Sequence, residues 1–245
     1  DFVPDSEAKF FLRKLKSGLF GDARRISKHL DNSKFKTVGC EIDIAPGKEI
    51  PPISYEYNGS SVTLRGKIDR VDRFDAPDGK SYLSAVDYKT GDADFTMKNL
   101  TDGSKIQLAY YLKALCADGS KYSGCIPAAF FYFPLNVKQS PADSEQKAEA
   151  SSNEFTRLQG FARDAEALAA FGGTDFCKNA QSKGLDMEHA FGVVDDLVTG
   201  MAQKLSDGDF AAAPLSAHDC GYCDYHRLCY RQANAENGEE VEDDA

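Results

Sequence analysis

The sequence predicts an α/β domain, a mixed central sheet of about five strands flanked by helices. Three observations predict it. Segments between Phe35 and Lys89 alternate apolar and polar side chains and are punctuated by Asn58-Gly59 and Asp78-Gly79, dipeptides that close tight hairpins. Other segments, such as Lys105–Cys116 (KIQLAYYLKALC), return apolar residues at helical spacing. Between these kinds lies Ile126–Val137 (IPAAFFYFPLNV), largely apolar, as a strand covered on both faces must be.

Taken in order, residues 7–30 (EAKFFLRKLKSGLFGDARRISKHL) have helical apolar spacing, interrupted by Gly18 and Gly21, and read as helix. Phe35–Ala45 (FKTVGCEIDIA) alternates as a strand, and Ile53–Tyr57 is a short second one. Asn58-Gly59 turns the chain into Ser61–Phe74 (SVTLRGKIDRVDRF), and Asp78-Gly79 turns it again into Ser81–Lys89 (SYLSAVDYK), giving a meander of three or four strands. Then come the Lys105–Cys116 helix, the Ile126–Val137 strand and a polar loop over Ser140–Asn153. Helices are expected over Glu154–Phe171 and Met187–Leu205. No internal repeat is visible. The divisions are a helical lead-in over 1–33, a core with a helical insert over 34–215, a cysteine-rich segment over 216–232 and an acidic, disordered tail over 233–245.

Composition narrows the function classes. With 245 residues, 42% hydrophobic and 28% charged, the chain can bury a sizeable core. No apolar run approaches the roughly 20 residues of a membrane-spanning helix, and no secretion signal opens the chain. It begins Asp1-Phe2-Val3-Pro4, without Met, which is the expectation for a piece of a longer protein. Net charge is −10, the wrong sign for a protein that holds nucleic acid by phosphate neutralisation alone. Six of those excess charges sit in the last ten residues (Glu236, Glu239, Glu240, Glu242, Asp243 and Asp244), and a metal-dependent enzyme needs carboxylates at its centre. No G-x-x-x-x-G-K-[ST] loop is present, so any ATPase would lie on other domains or chains. Seven unevenly placed cysteines fit a reducing cytoplasm better than a disulfide framework.

The stretch from Gly66 to Lys89 carries the chemistry. Residues two apart on a strand share a face, so Asp87 and Lys89 project together while Tyr88 points away. The Asp78-Gly79 turn folds the Asp69 strand alongside, so two carboxylates and an ammonium reach one end of the sheet. Carboxylates are hard ligands for Mg²⁺ (or Mn²⁺), which binds through one or two of them plus a substrate phosphate, and the Tyr88 carbonyl offers a further ligand. A lysine beside such an ion can orient a water or stabilise charge on a phosphoryl oxygen. On the downstream helix, Gln107 and Tyr111 stand at i and i+4 on one face, within reach of the site or a DNA backbone.

In order, G-x-I-D-R-V-D (Gly66–Asp72), D-Y-K-T-G (Asp87–Gly91) and G-x-x-x-Q-L-x-x-Y (Gly103–Tyr111) resemble the nuclease domain of RecB-family exonucleases within the PD-(D/E)xK superfamily. The resemblance implies a restriction-endonuclease-like fold. It makes Asp69 and Asp87 the metal carboxylates and Lys89 the catalytic lysine, with Gln107 and Tyr111 as the family's Q-x₃-Y pair. It also implies a Glu on an earlier strand, where Glu41 is the candidate.

Cys220-x₂-Cys223-x₅-Cys229 places three thiolates within ten residues. Zinc could complete such a set with His218 or His226, whereas a [4Fe–4S] cluster would want a fourth cysteine. The spacing is similar to that closing the nuclease domain of the AddB-type subunits of helicase–nucleases, as are IPAAFFYFPL, LSDGDFAAAP and CDYHRLC. That resemblance implies an iron–sulfur cluster whose fourth cysteine, like the family's active-site His, lies upstream of this chain. His29 is then expected to be a surface helix residue and Cys40 a buried structural thiol.

The resulting expectation is a Mg²⁺-dependent DNA exonuclease module acting on single-stranded ends beside a helicase partner in break repair and recombination, in a bacterial cytoplasm and with no membrane. The alternatives are a CRISPR-associated exonuclease of the same superfamily and a non-catalytic DNA-binding scaffold.

Overall fold

The computed structural model describes residues 6–91, 93–135, 157–179, 186–214, 220–221 and 223–229. Helix α1 runs unbroken over Ser6–Asn32, so Gly18 and Gly21 do not interrupt it. The meander follows as β1 (Lys36–Ile44), β2 (Ser54–Tyr57), β3 (Ser60–Thr63), β4 (Gly66–Asp75) and β5 (Ser81–Lys89). After it come α2 (Met97–Thr101), α3 (Gln107–Cys116), β6 (Ile126–Pro134), β7 (Leu158–Ala162), α4 (Ala165–Ala170), β8 (Cys177–Asn179) and α5 (Met187–Asp207).

Among the described residues, six strands form the central sheet in the order β1-β4-β5-β6-β7-β8. Pairing is parallel between β5 and β6 and between β7 and β8, and antiparallel elsewhere. The sheet is thus mixed, with one strand more than expected. The segment read as a single strand over Ser61–Phe74 breaks at Leu64-Arg65. Its first part pairs with β2 in a separate hairpin closed by Asn58 (φ 47°) and Gly59 (φ 76°), both in the left-handed region that a two-residue turn requires. Its second part, β4, pairs directly with β1.

The helix expected over Glu154–Phe171 is overturned. Leu158–Ala162 is a fully buried strand, and only Ala165–Ala170 is helical, capped by the Asp164 carboxylate accepting from the Ala167 N–H. Leu158, Phe161 and Ala162 do repeat at helical spacing, but the open edge of β6 recruits them, and tertiary pairing outweighs local pattern. Gly160 permits the close approach, since a β-carbon there would overlap the Phe130 carbonyl of β6. The expected loop over Ser140–Asn153 and the acidic tail lie outside the described residues.

One core fills the space between the sheet and helices α3 and α5, through Leu83, Ala85, Phe130, Leu108, Leu112 and Val194. A second lies on the opposite face, where Phe35, Val86, Phe131, Phe133 and Phe171 pack beneath α4 and the end of α1. The sequence signals both: β5 and β6 are apolar on alternate residues in both phases, as central strands buried on two faces must be. Asp87 and Lys89 lie on the α3 side, Tyr88 on the other.

Candidate active site

The site forms where the β4–β5 ladder gives out. Backbone pairing runs from Asp75 opposite Ser81 to Arg70 opposite Val86. One residue further along β4, the Asp69 carboxylate takes over, and its Oδ2 accepts the Tyr88 backbone N–H at 2.8 Å. This places Asp69 next to Asp87, and the two carboxylates sense each other electrostatically.

Asp87 is 4% exposed. Burial pushes its carboxyl above the usual range; the Lys89 ammonium pulls it back, and the Asp69 charge raises it again. Lys89 Nζ lies 2.7 Å from Asp87 Oδ2, an oxygen that has no hydrogen-bond donor beyond this ion contact. A half-buried ammonium thus caps a buried carboxylate that faces a second carboxylate.

Tyr132 forms the floor. It stands in register with Asp87 on the parallel strand β6, and the Lys89 ammonium lies 5.4 Å from its ring centre. Its phenol is pushed upward by burial, then by Asp87 and Tyr111. Helix α3 supplies the wall: Gln107 Nε2 donates to Tyr111 Oη at 2.9 Å, as the shared helical face anticipates. Gly66, first residue of the G-x-I-D motif, is where Tyr111 passes, because a β-carbon there would overlap the tyrosine ring.

Behind β5 lies a polar network that the sequence pattern did not announce. Arg70 Nε donates to Asp72 Oδ2 at 3.0 Å within a buried ion pair, and Thr37 Oγ1 donates to Asp72 Oδ1 at 2.8 Å. Arg70 Nη1 donates to the Tyr88 hydroxyl at 2.8 Å. Both charged groups are almost fully buried, so each depends on the other. Tyr88 is therefore held at its ring by β4 from behind and at its N–H by Asp69 in front.

Three other sequence-predicted residues fall differently. Glu41 lies across from Asp69, between the Cys40–Arg70 and Ile42–Ile68 pairs, and has a left-handed φ of 56°. Its carboxylate is 66% exposed and pairs with Lys67 at 3.1 Å. Cys40, expected to be buried, is exposed, because β1 is the edge strand and much of its length faces solvent. His29, expected at the surface, is 3% exposed and packs against Phe133, Phe171 and Phe176 where the end of α1 crosses the rear of the sheet. Burial, and then Arg70, hold its pKa down at about 4.

The donor set at the front fits a hard divalent cation. Two carboxylates converge beside the Tyr88 backbone, and one of their oxygens, Asp87 Oδ2, is buried with no partner beyond the Lys89 ammonium. The cysteines do not make a comparable set. Cys220, Cys223 and Cys229 are free thiols along turns in which the Cys223 N–H donates to the Cys220 carbonyl at 3.2 Å and the Cys229 N–H to the His226 carbonyl at 3.4 Å. Among the described residues, no group of three or more His, Cys, Asp or Glu side chains is arranged to hold a metal ion, and His218 lies outside them. Three thiols so placed do not fit an iron–sulfur cluster by themselves.

Tyr132 and Lys105 went unnoticed in the sequence, the first inside an apolar run and the second two residues before Gln107. A tyrosine in phase with Phe130, on the same face as Asp87, was the one available signal.

Known proteins resemble the chain over most of its length. The family model described as the PD-(D/E)XK nuclease superfamily matches residues 2–230. A protein of Carboxydothermus hydrogenoformans, named as the B-type component of an ATP-dependent helicase/deoxyribonuclease, is 28% identical over 93% of this chain and 23% of its own length. The protein of the same name from Caldanaerobacter subterraneus is 28% identical over 94% of the chain and 22% of its own length. That from Clostridium novyi reaches 36% identity over 46% of the chain and 10% of its own length. The chain thus spans under a quarter of the length of these relatives.

Proposed function

The chain belongs to the PD-(D/E)XK nuclease superfamily, and from that premise we propose that it is a metal-dependent deoxyribonuclease module of a helicase–nuclease. The observation that carries the proposal is the meeting of Asp69 with the Asp87–Lys89 pair at the Tyr88 backbone. In this reading Asp69 and Asp87, with the Tyr88 carbonyl, hold Mg²⁺ or Mn²⁺. Bound there, such an ion polarises a phosphodiester and lowers the pKa of a coordinated water. The net reaction adds water across one P–O bond, leaving a phosphomonoester on one fragment and a hydroxyl on the other.

The protein's own groups do the rest. The Lys89 ammonium, set beside Asp87 and braced over the Tyr132 ring, stabilises negative charge gathering on the phosphoryl oxygens. Loss of such a donor costs about 10²–10³ in rate. Gln107 and Tyr111, bonded to each other on the α3 wall, position the strand being cut. Glu41 enters only as a residue at the rim that could turn from Lys67 toward a coordinated water.

The name of these relatives supports DNA as substrate and a helicase as partner; action on single-stranded ends, a role in break repair and a cytoplasmic setting are further parts of the proposal. No described helix is long and apolar enough to cross a membrane. The cysteines take part in this reading only if another residue completes them, as a fourth cysteine for [4Fe–4S] or a histidine for zinc.

The test is cleavage of single-stranded DNA by the full-length protein. Degradation should require Mg²⁺ or Mn²⁺, stop on chelation, and fall by at least about a hundredfold in Lys89→Ala with the thermal melt unchanged. A variant that cuts at the native rate would remove Lys89 from the mechanism, and a function surviving without cleavage would favour a binding scaffold.

A further inference from the structure

Lys105 is a second cation at the same site. It precedes α3, and its ammonium lies 5.6 Å from the centre of the Tyr132 ring, the ring over which Lys89 sits at 5.4 Å. Its Nζ also donates to the Asp94 carbonyl, in the segment that leaves β5 for α2. The side chain is thus tethered and half-buried beside Tyr132, two residues before Gln107 at the start of α3. We propose that Lys105 binds a backbone phosphate of the DNA next to the one being cut, so that Lys89 and Lys105, both set against the Tyr132 ring, grip consecutive phosphates.

Charge makes this a physical requirement as well as a placement. A chain with net charge −10 repels DNA, and Asp69 and Asp87 concentrate two negative charges where a phosphodiester must approach. A metal ion and Lys89 offset these charges at the scissile phosphate alone. The neighbouring phosphate needs its own counter-charge, and a lysine serves as a point charge with rotatable donors. Both ammonium groups lie against the one Tyr132 ring, at 5.4 and 5.6 Å from its centre, a contact that limits their wandering.

This inference rests on the nuclease reading, so the test separates the two. Binding of a short oligothymidylate to the full-length protein is followed by fluorescence anisotropy between about 50 and 200 mM salt, alongside a cleavage assay of the wild-type protein. Lys105→Gln should weaken binding about fivefold at the low-salt end and reduce the slope of log affinity against log salt by about 0.7, the share of one single-strand phosphate contact. Lys105→Arg should restore both, and the thermal melt of each variant should match the wild type. Wild-type cleavage together with an unchanged salt slope in Lys105→Gln overturns the inference and leaves the nuclease standing. A lowered melting temperature that arginine does not rescue also overturns it, assigning Lys105 to holding the Asp94 segment. A wild-type protein that neither binds nor cuts DNA overturns both.

Discussion

At the scale of single residues, environment decides what each ionisable group can do. Asp87 and Asp69 are the same residue type, yet Asp87 is buried and pushed toward its neutral form while Asp69 is engaged by a backbone N–H. A cation bound between them would favour the charged state that burial disfavours. His29 illustrates the opposite case, a buried group without a partner. Among the described residues neither of its ring nitrogens finds a hydrogen-bond partner, and its pKa sits near 4 against an ordinary 6.5. The unfolded chain binds this proton more readily, so its contribution to stability is complete above about pH 6.5 and is lost as pH falls toward about 4. The loss amounts to roughly 3 kcal/mol. His29→Leu, apolar among Phe133, Phe171 and Phe176, should therefore melt at nearly the wild-type temperature at neutral pH and lose less stability on acidification. Equal acid sensitivity in the two proteins, read from melts at pH values on either side of that window, would show that another group carries it.

At the scale of elements, strand β5 joins two environments. Its front face presents Asp87 and Lys89, while its rear face inserts Tyr88 into the Arg70–Asp72–Thr37 network. Because the Tyr88 N–H is what Asp69 accepts, a shift of the ring behind the sheet moves a carboxylate in front of it. Tyr88→Phe keeps the ring and removes the hydroxyl that Arg70 donates to. The expected outcome is a stability loss of about 1 kcal/mol and a rise of about tenfold in the Mg²⁺ concentration for half-maximal cleavage. A purely structural role would give the first effect without the second, so the metal titration decides. The network also shows where sequence reading stops. The alternation of β5 was enough to send Asp87 and Lys89 one way and Tyr88 the other, because side-chain period is intrinsic to a strand. That the rear side should hold a buried ion pair depends on the end of α1, with His29, reaching it, which no local pattern encodes.

At the scale of the whole molecule, what was legible was what depends on near neighbours. Strands β1, β4 and β5 and helices α3 and α5 follow from periodicity, and the Asp78-Gly79 hairpin brings Asp69 to Asp87 with a short connection. Strand β7 was missed because the free edge of β6 overrode a helical pattern, and Tyr132 and Lys105 because the crossover through α2 and α3 is what carries them to Asp87. Burial of His29 and exposure of Cys40 inverted expectation for a related reason: which face of a helix or an edge strand is covered is a property of the assembled layers. The cysteine segment stands apart: its three thiols are spaced in sequence as metal ligands, while among the described residues no group of three or more His, Cys, Asp or Glu is arranged to hold a metal ion.

The most direct test of the account is an anomalous difference map from crystals of the protein soaked in Mn²⁺. A peak is expected between the carboxylates of Asp69 and Asp87, within coordinating distance of the Tyr88 carbonyl and about 2.0–2.6 Å from the ligating oxygens. A saturated crystal with no peak there, or with its only peak at other side chains, would contradict it.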